Sequence, residues 1–202
     1  MGQYYKIAFQ HDGERVVVNG RKVEGEGYIL AKLMEHSWRE NPLTMAVADE
    51  MYKWPMRLLW CGDYVEYDEV HDATDGAVEF DDLWGEDEDR SHEFAPSKFD
   101  YNGKWIVNHD KKLAVNLDEY WRKSEDNGLV ICPFPLLTAL GNGRGGGDFH
   151  EGYIGADKVG TWVWDLISIE DEKPEGYEEF KVVFKFKEKE DKEEDEGKKE
   201  VP

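Results

Sequence analysis

An α+β fold is what this sequence predicts: a largely antiparallel sheet with two N-terminal helices packed against it. Three observations carry the prediction. Short β-rich runs come in pairs across turn residues: QYYKIAF (3–9) with RVVV (15–18), and WIVN (105–108) with LAVNL (113–117). Two stretches, 28–39 and 42–54, instead repeat their apolar residues at helical spacing. Finally, FKVVFKFK (180–187) sets Phe180, Val182, Phe184 and Phe186 on one face and three lysines on the other, the pattern of a half-buried strand.

In chain order, Asp12-Gly13 is the turn between the first two strands, and Asn19-Gly20 a second turn. The helix over 28–39 gathers Ile29, Leu30, Leu33, Met34 and Trp38 on one broad face. Asn41 suits an N-cap and Pro42 the first position of the helix 42–54, where Leu43, Val47 and Met51 recur every four residues. Pro55 ends it, and RLLWC (57–61) reads as a buried strand running into Gly62-Asp63. WIVN and LAVNL form a hairpin across His109–Lys112, followed by a short helix near 118–123. LVIC (129–132) reads as a strand interrupted by Pro133 and Pro135, after which LLTAL (136–140) resumes the apolar run into a glycine-rich loop. VGTWVWDLISI (159–169) is rich in β-formers.

The chain's 202 residues, 13% aromatic with eight tryptophans, suffice for one cored domain without disulfides or metal. It divides into a single domain over 1–187 and an acidic, lysine-bearing tail over 188–202 without apolar periodicity, read as disordered. The net charge of −21 is unevenly placed: 63–94, read as an acidic insertion, holds fourteen acids and one base, and 188–200 holds eight acids and four lysines. The rest carries only −4. Such a surface excludes direct nucleic-acid binding, which needs basic groups for the phosphates. A basic protein partner, or divalent cations held weakly by the clustered carboxylates, fits it better. No signal peptide or membrane span is read from the sequence, and Cys61 and Cys132, without a framework pattern, suit a reducing cytoplasm.

GNGRGGGDFHEGY (141–153) is the most distinctive stretch. Gly141, Gly143 and Gly146 match G-x-G-x-x-G literally, but a dinucleotide fold needs a helix to follow, and here the chain continues with β-like residues. A nucleotide P-loop fails because Gly147 stands where lysine is required. No zinc, calcium or other metal pattern is present, no serine or cysteine nucleophile motif occurs, and no cofactor is implied. What survives is a loop whose glycines let backbone N–H groups approach a ligand. The candidate ligand-binding residues are Asp63, Asn142, Gly143, Arg144, Gly145, Gly146, Asp148 and His150. Arg144 would hold a phosphate or carboxylate, and Asp63 or Asp148 would orient the ligand. Equally, the loop is a tight turn with Arg144 paired to an acid. His36, His109 and His150 could converge with Asp63 and Asp148 at one sheet edge.

MGQYYK, KLMEHSW (32–38), WCGDY (60–64), NHDKK (108–112), PLLTALGNGRGGGD (135–148) and VGTWVWDLISIE (159–170) together resemble a family of small, functionally uncharacterised proteins of bacteria and their phages. The resemblance spans about residues 1–170 and is most specific in the glycine segment. It carries over no catalytic role; it implies a prokaryotic cytoplasmic setting and a recurring site near Asp63 and Asn142–Asp148. The function expected is small-molecule binding, of a nucleotide or other phosphate, with hydrolysis as an extension. The alternative is a non-enzymatic acidic protein that binds or inhibits a basic partner surface.

Overall fold

The computed structural model describes residues 1–18, 32–84, 98–125 and 130–186. At the first turn both Asp12 and Gly13 have positive φ, 48° and 79°. That is the type I′ geometry whose twist matches its flanking strands. It joins β1 (Tyr5–His11) to β2 (Glu14–Val18) in a register from Ile7↔Val18 to His11↔Glu14. The turn expected at Asn19-Gly20 and the first four residues of the 28–39 helix lie outside the described residues.

Within 32–39 the helix α1 covers only Leu33–His36. The Ser37 amide makes its last i→i−4 bond, to the Leu33 carbonyl, which the Ser37 hydroxyl also caps, and Trp38 then leaves to bridge Ile131. The next helix, α2 (Pro42–Lys53), starts as its sequence dictates: the Asn41 side-chain Oδ1 accepts from the Leu43 and Thr44 amides, with Pro42 at the first turn. Its buried stripe is Leu43, Val47 and Met51.

An open, mostly antiparallel sheet of eight strands follows. Besides β1 and β2 it contains β3 (Met56–Gly62), β4 (Trp105–Asn108), β5 (Leu113–Asn116), β6 (Ala139–Leu140), β7 (Leu166–Glu170) and β8 (Glu178–Glu179). The order is β2-β1-β3-β7-β4-β5-β8, and β6 lies parallel to the end of β3 through Trp60↔Ala139 and Cys61↔Leu140. The other parallel pair is β5 with β8. The fold class is α+β.

Alternation along the strands sorts the core onto two faces. Tyr5, Ile7 and Phe9 of β1, Met56, Leu58 and Trp60 of β3, and Ile167 and Ile169 of β7 pack with α2, with α5 (Leu117–Ser124) and with α6 (Pro133–Leu137). The opposite side of the same strands, Ala8, Leu59 and Cys61, packs with Val65, Val70, Val78, Leu83 and Trp164. Val70 belongs to α3 (Tyr67–Ala73) and Leu83 to α4 (Phe80–Trp84). The described part of the acidic segment is therefore a folded layer, holding apolar side chains against the sheet and acids toward solvent. The remainder of that segment and the tail 188–202 lie outside the described residues.

Three strand expectations are corrected. Residues 133–137 form α6, because Pro133 occupies the first helical position where its missing N–H costs nothing; among the described residues of LVIC only Ile131 makes a bridge. Residues 159–164 form turns, with Gly160 and Trp164 at φ 75° and 56°, and the strand starts only at Leu166. In 180–186 the expected burial of Val182 and Phe184 holds, but only Lys185 makes a β-bridge, to Ile154.

Both cysteines are buried, free thiols. Burial pushes the Cys61 thiol up to about 12 and that of Cys132 further. Neither is expected to react with iodoacetamide in the native protein, and both are expected to react in denaturant; mass spectrometry of the alkylated chain checks this.

Candidate functional site

β6 feeds directly into the glycine loop, which turns through Gly141, Gly143 and Gly147 at φ 87°, 92° and 91°. These turns aim three backbone amides at one point. The N–H groups of Gly143, Arg144 and Gly145 donate to Oδ2 of Asp148 at 2.9, 3.0 and 2.9 Å. The Tyr5 hydroxyl donates to its Oδ1 at 3.1 Å. Asp148 is buried, and burial, then the Asp148 carboxylate, drives the Tyr5 phenol far above its usual value. The loop is thus an anion nest, and the anion it holds is its own chain's carboxylate.

The flanking residues complete the closure. Asn142 imitates a strand neighbour: its Nδ2 donates to the Phe149 carbonyl at 2.9 Å and its Oδ1 accepts from the Phe149 amide at 2.8 Å. Gly146 pairs with the N-terminus, accepting from Gln3 N–H and donating to the Met1 carbonyl, both at 3.0 Å. Gly145 is required by that approach, since a Cβ there would lie 2.5 Å from Gln3 Cβ and 2.8 Å from Gln3 N. Asp63 serves the same N-terminal segment: its Oδ1 accepts from the Tyr4 amide at 3.0 Å.

Arg144 points away from the nest. Its Nη2 donates to Glu69 Oε1 at 2.8 Å and its Nη1 to the Tyr64 carbonyl at 3.0 Å, latching the loop to α3. The hydrogen bond from Arg144 holds the Glu69 carboxyl below the usual glutamate range. A depressed pKa means that the stabilisation is present above the unfolded value and is lost as pH falls through the folded one. Glu69→Gln is therefore expected to cost about 0.5 kcal/mol at neutral pH, the scale of a half-exposed pair. Urea titrations of both proteins should show this difference flat above about pH 5 and shrinking toward zero in more acid buffer.

On the outer side of the loop lies an open cleft of about 600 Å³. Leu140–Arg144 form one wall, Ala73 at the end of α3 another, and the residues around the 3-10 turn Ala156–Lys158, notably Val159 and Val163, the third. Of the eight residues expected from the sequence, Asn142, Gly143 and Arg144 line this cleft; Asp63, Gly145, Gly146, Asp148 and His150 do not. The expectation that free N–H groups and Asp148 would face a ligand is corrected: they face each other. His150 is exposed and edges onto Tyr153, with ring centroids 5.5 Å apart. The lining residues outside the loop that sequence reasoning did not single out include Ala73, Ala156, Val159 and Val163, the last two in a segment that reads as a strand.

The three histidines do not share a site. His36 accepts from Trp60 Nε1 at 3.0 Å inside the core. His109 lies 2.8 Å from Ser168 Oγ and 3.2 Å from the Tyr177 hydroxyl, and Ser168 itself donates to Glu170 at 2.8 Å. The single Ser168 hydroxyl proton faces both the Glu170 carboxylate and the His109 ring, so Glu170 competes with the imidazole for it. Among the described residues no three of His, Cys, Asp and Glu converge in a metal-holding group. No described helix is long and apolar enough to cross a membrane. Comparisons with protein-family models, curated proteins and solved structures each return no match.

Proposed function

We propose that this is a small-molecule-binding protein whose ligand occupies the cleft on the outer side of the glycine loop. The observation that carries the reading is the cleft itself: about 600 Å³, within the range that accommodates small metabolites. The Asp148-filled nest supports it by fixing one wall in place before any ligand arrives. For a nucleotide or other phosphate, the contact left in the cleft is the Arg144 side chain, two of whose five N–H donors are already engaged. The chemistry-bearing side chains of the lining are Asn142, Arg144 and Glu151, which favours binding over turnover. The free cysteines support a reducing, cytoplasmic setting.

A thermal-shift screen of nucleotides, phosphorylated metabolites and amines tests the reading. A ligand at a hundred times its Kd is expected to stabilise the fold by about 2.7 kcal/mol. Ala73→Trp, which fills the cleft, should remove the shift, and Arg144→Ala should remove it for an anionic ligand while leaving the fold intact. A ligand that binds Ala73→Trp as tightly as the native chain would overturn the assignment.

A second reading rests on the outer surface of α3 and the turn after it, where Asp68, Asp72 and Asp75 are exposed beside the exposed ring of Tyr67. Such a surface suits a basic protein partner. Its association would weaken steeply with salt and with neutralisation of these acids; salt-independent association would count against it.

A further inference from the structure

Among the described residues the cleft has two charged lining residues, Arg144 and Glu151, and they are not equivalent. The Arg144 guanidinium is matched by Glu69 and the Tyr64 carbonyl. Glu151 is exposed and makes no ion pair among the described residues. Lys158, in the 3-10 turn beside the lining residues Ala156 and Val159, is paired with its neighbour Asp157 at 2.8 Å. The backbone donors that would counter an anion are taken: three successive N–H groups are spent on Asp148. Part of the lining is aliphatic, with Leu140, Ala156, Val159 and Val163, beside the polar wall of the glycine loop. Exposed Asp72 directly precedes Ala73 at the end of α3, within a chain of net charge −21. A cleft with one unmatched carboxylate beside an aliphatic patch, in a strongly acidic chain, favours cations over phosphates.

We infer that the ligand of this cleft is a small organic cation, an amine on an apolar body, with its ammonium group on Glu151 and its body against Leu140, Val159 and Val163. The inference rests on the cleft being the ligand site proposed above, and it reverses the sign of the ligand that the glycine-rich sequence suggests.

Three probes with one apolar body separate the possibilities: 2-phenylethylamine, 3-phenylpropionate and 2-phenylethanol, titrated into the full chain and followed by amide and methyl NMR shifts. The amine is expected to bind tightest of the three, with shifts centred on Leu140, Val159 and Val163. Glu151→Gln should weaken it about tenfold, the equivalent of ~1.4 kcal/mol. Glu172→Gln, which removes an exposed acid beyond β7, should leave it unchanged, and Ala73→Trp should abolish it. Equal losses in Glu151→Gln and Glu172→Gln would reduce the effect to the chain's overall charge and overturn the inference. Tighter binding of the propionate at the same residues would overturn the charge assignment and leave the ligand site standing. Absence of shifts with all three probes would overturn the inference; the site reading then stands or falls on whether a screened ligand is blocked by Ala73→Trp.

Discussion

Asp148→Ala is expected to destabilise the protein by about 4 kcal/mol, because it removes the acceptor of four hydrogen bonds to an ionised group at once. Three of the donors are the successive amides of Gly143, Arg144 and Gly145, and the fourth is the buried Tyr5 hydroxyl. Small domains are stable by only about 5–15 kcal/mol, so the variant should unfold at a much lower urea midpoint. Asp148→Asn keeps an acceptor of the same shape. Its oxygen can still take the three amides while the Tyr5 hydroxyl rotates to accept from its nitrogen, so the expected cost falls to about 1–2 kcal/mol. Hydrogen exchange should show the amides of 143–145 losing protection in the alanine variant and largely keeping it in the asparagine one. If alanine costs under about 1 kcal/mol, solvent rather than Asp148 satisfies the loop.

That carboxylate also marks the limit of what the sequence discloses. Local chemistry is legible: Asn41-Pro42 announces α2, Asp12-Gly13 announces the first hairpin, and the spacing of Leu43, Val47 and Met51 announces which helix face is buried. Periodicity finds faces but not hydrogen-bond partners. FKVVFKFK buries Val182 and Phe184 as its alternation requires, yet among its described residues only Lys185 makes a β-bridge, to Ile154, while the Phe180 amide donates to the Ala114 carbonyl. PFPLL is an apolar run too short to separate strand from helix by pattern, and its Pro133 decides for a helix. In the glycine loop the composition shows a nest but not its occupant. Asp148 lies only three to five residues from the amides it accepts, so that part was within reach of local reasoning. The pairing of Arg144 with Glu69 across 75 residues, and of Asp63 with Tyr4 across 59, was not.

The glycines themselves give the second large effect, and they separate two reasons for being glycine. At Gly143 the φ is 92° and a Cβ would meet nothing within 4 Å. Alanine there is expected to cost only the left-handed backbone penalty, about 1–2 kcal/mol, with the rest of the loop undisturbed. At Gly145 a Cβ would lie 2.5 Å from Gln3 Cβ and 2.8 Å from the Gln3 nitrogen. Backbone cannot yield as a flexible side-chain end does, so Gly145→Ala must push the N-terminal segment off the loop, at an expected cost of about 3 kcal/mol. The bridge between Gly2 and Gly146 would open with it, and exchange protection at Gln3 and Gly146 should fall together while that at Gly143 is retained. Were these glycines kept for the close approach of a ligand, the open and cleft-lining Gly143 would be the sensitive position for binding and Gly145 would be tolerant of substitution for stability. The structure predicts the reverse for stability: equal or lower cost at Gly145 than at Gly143 would show that the N-terminus does not dictate the glycine at position 145.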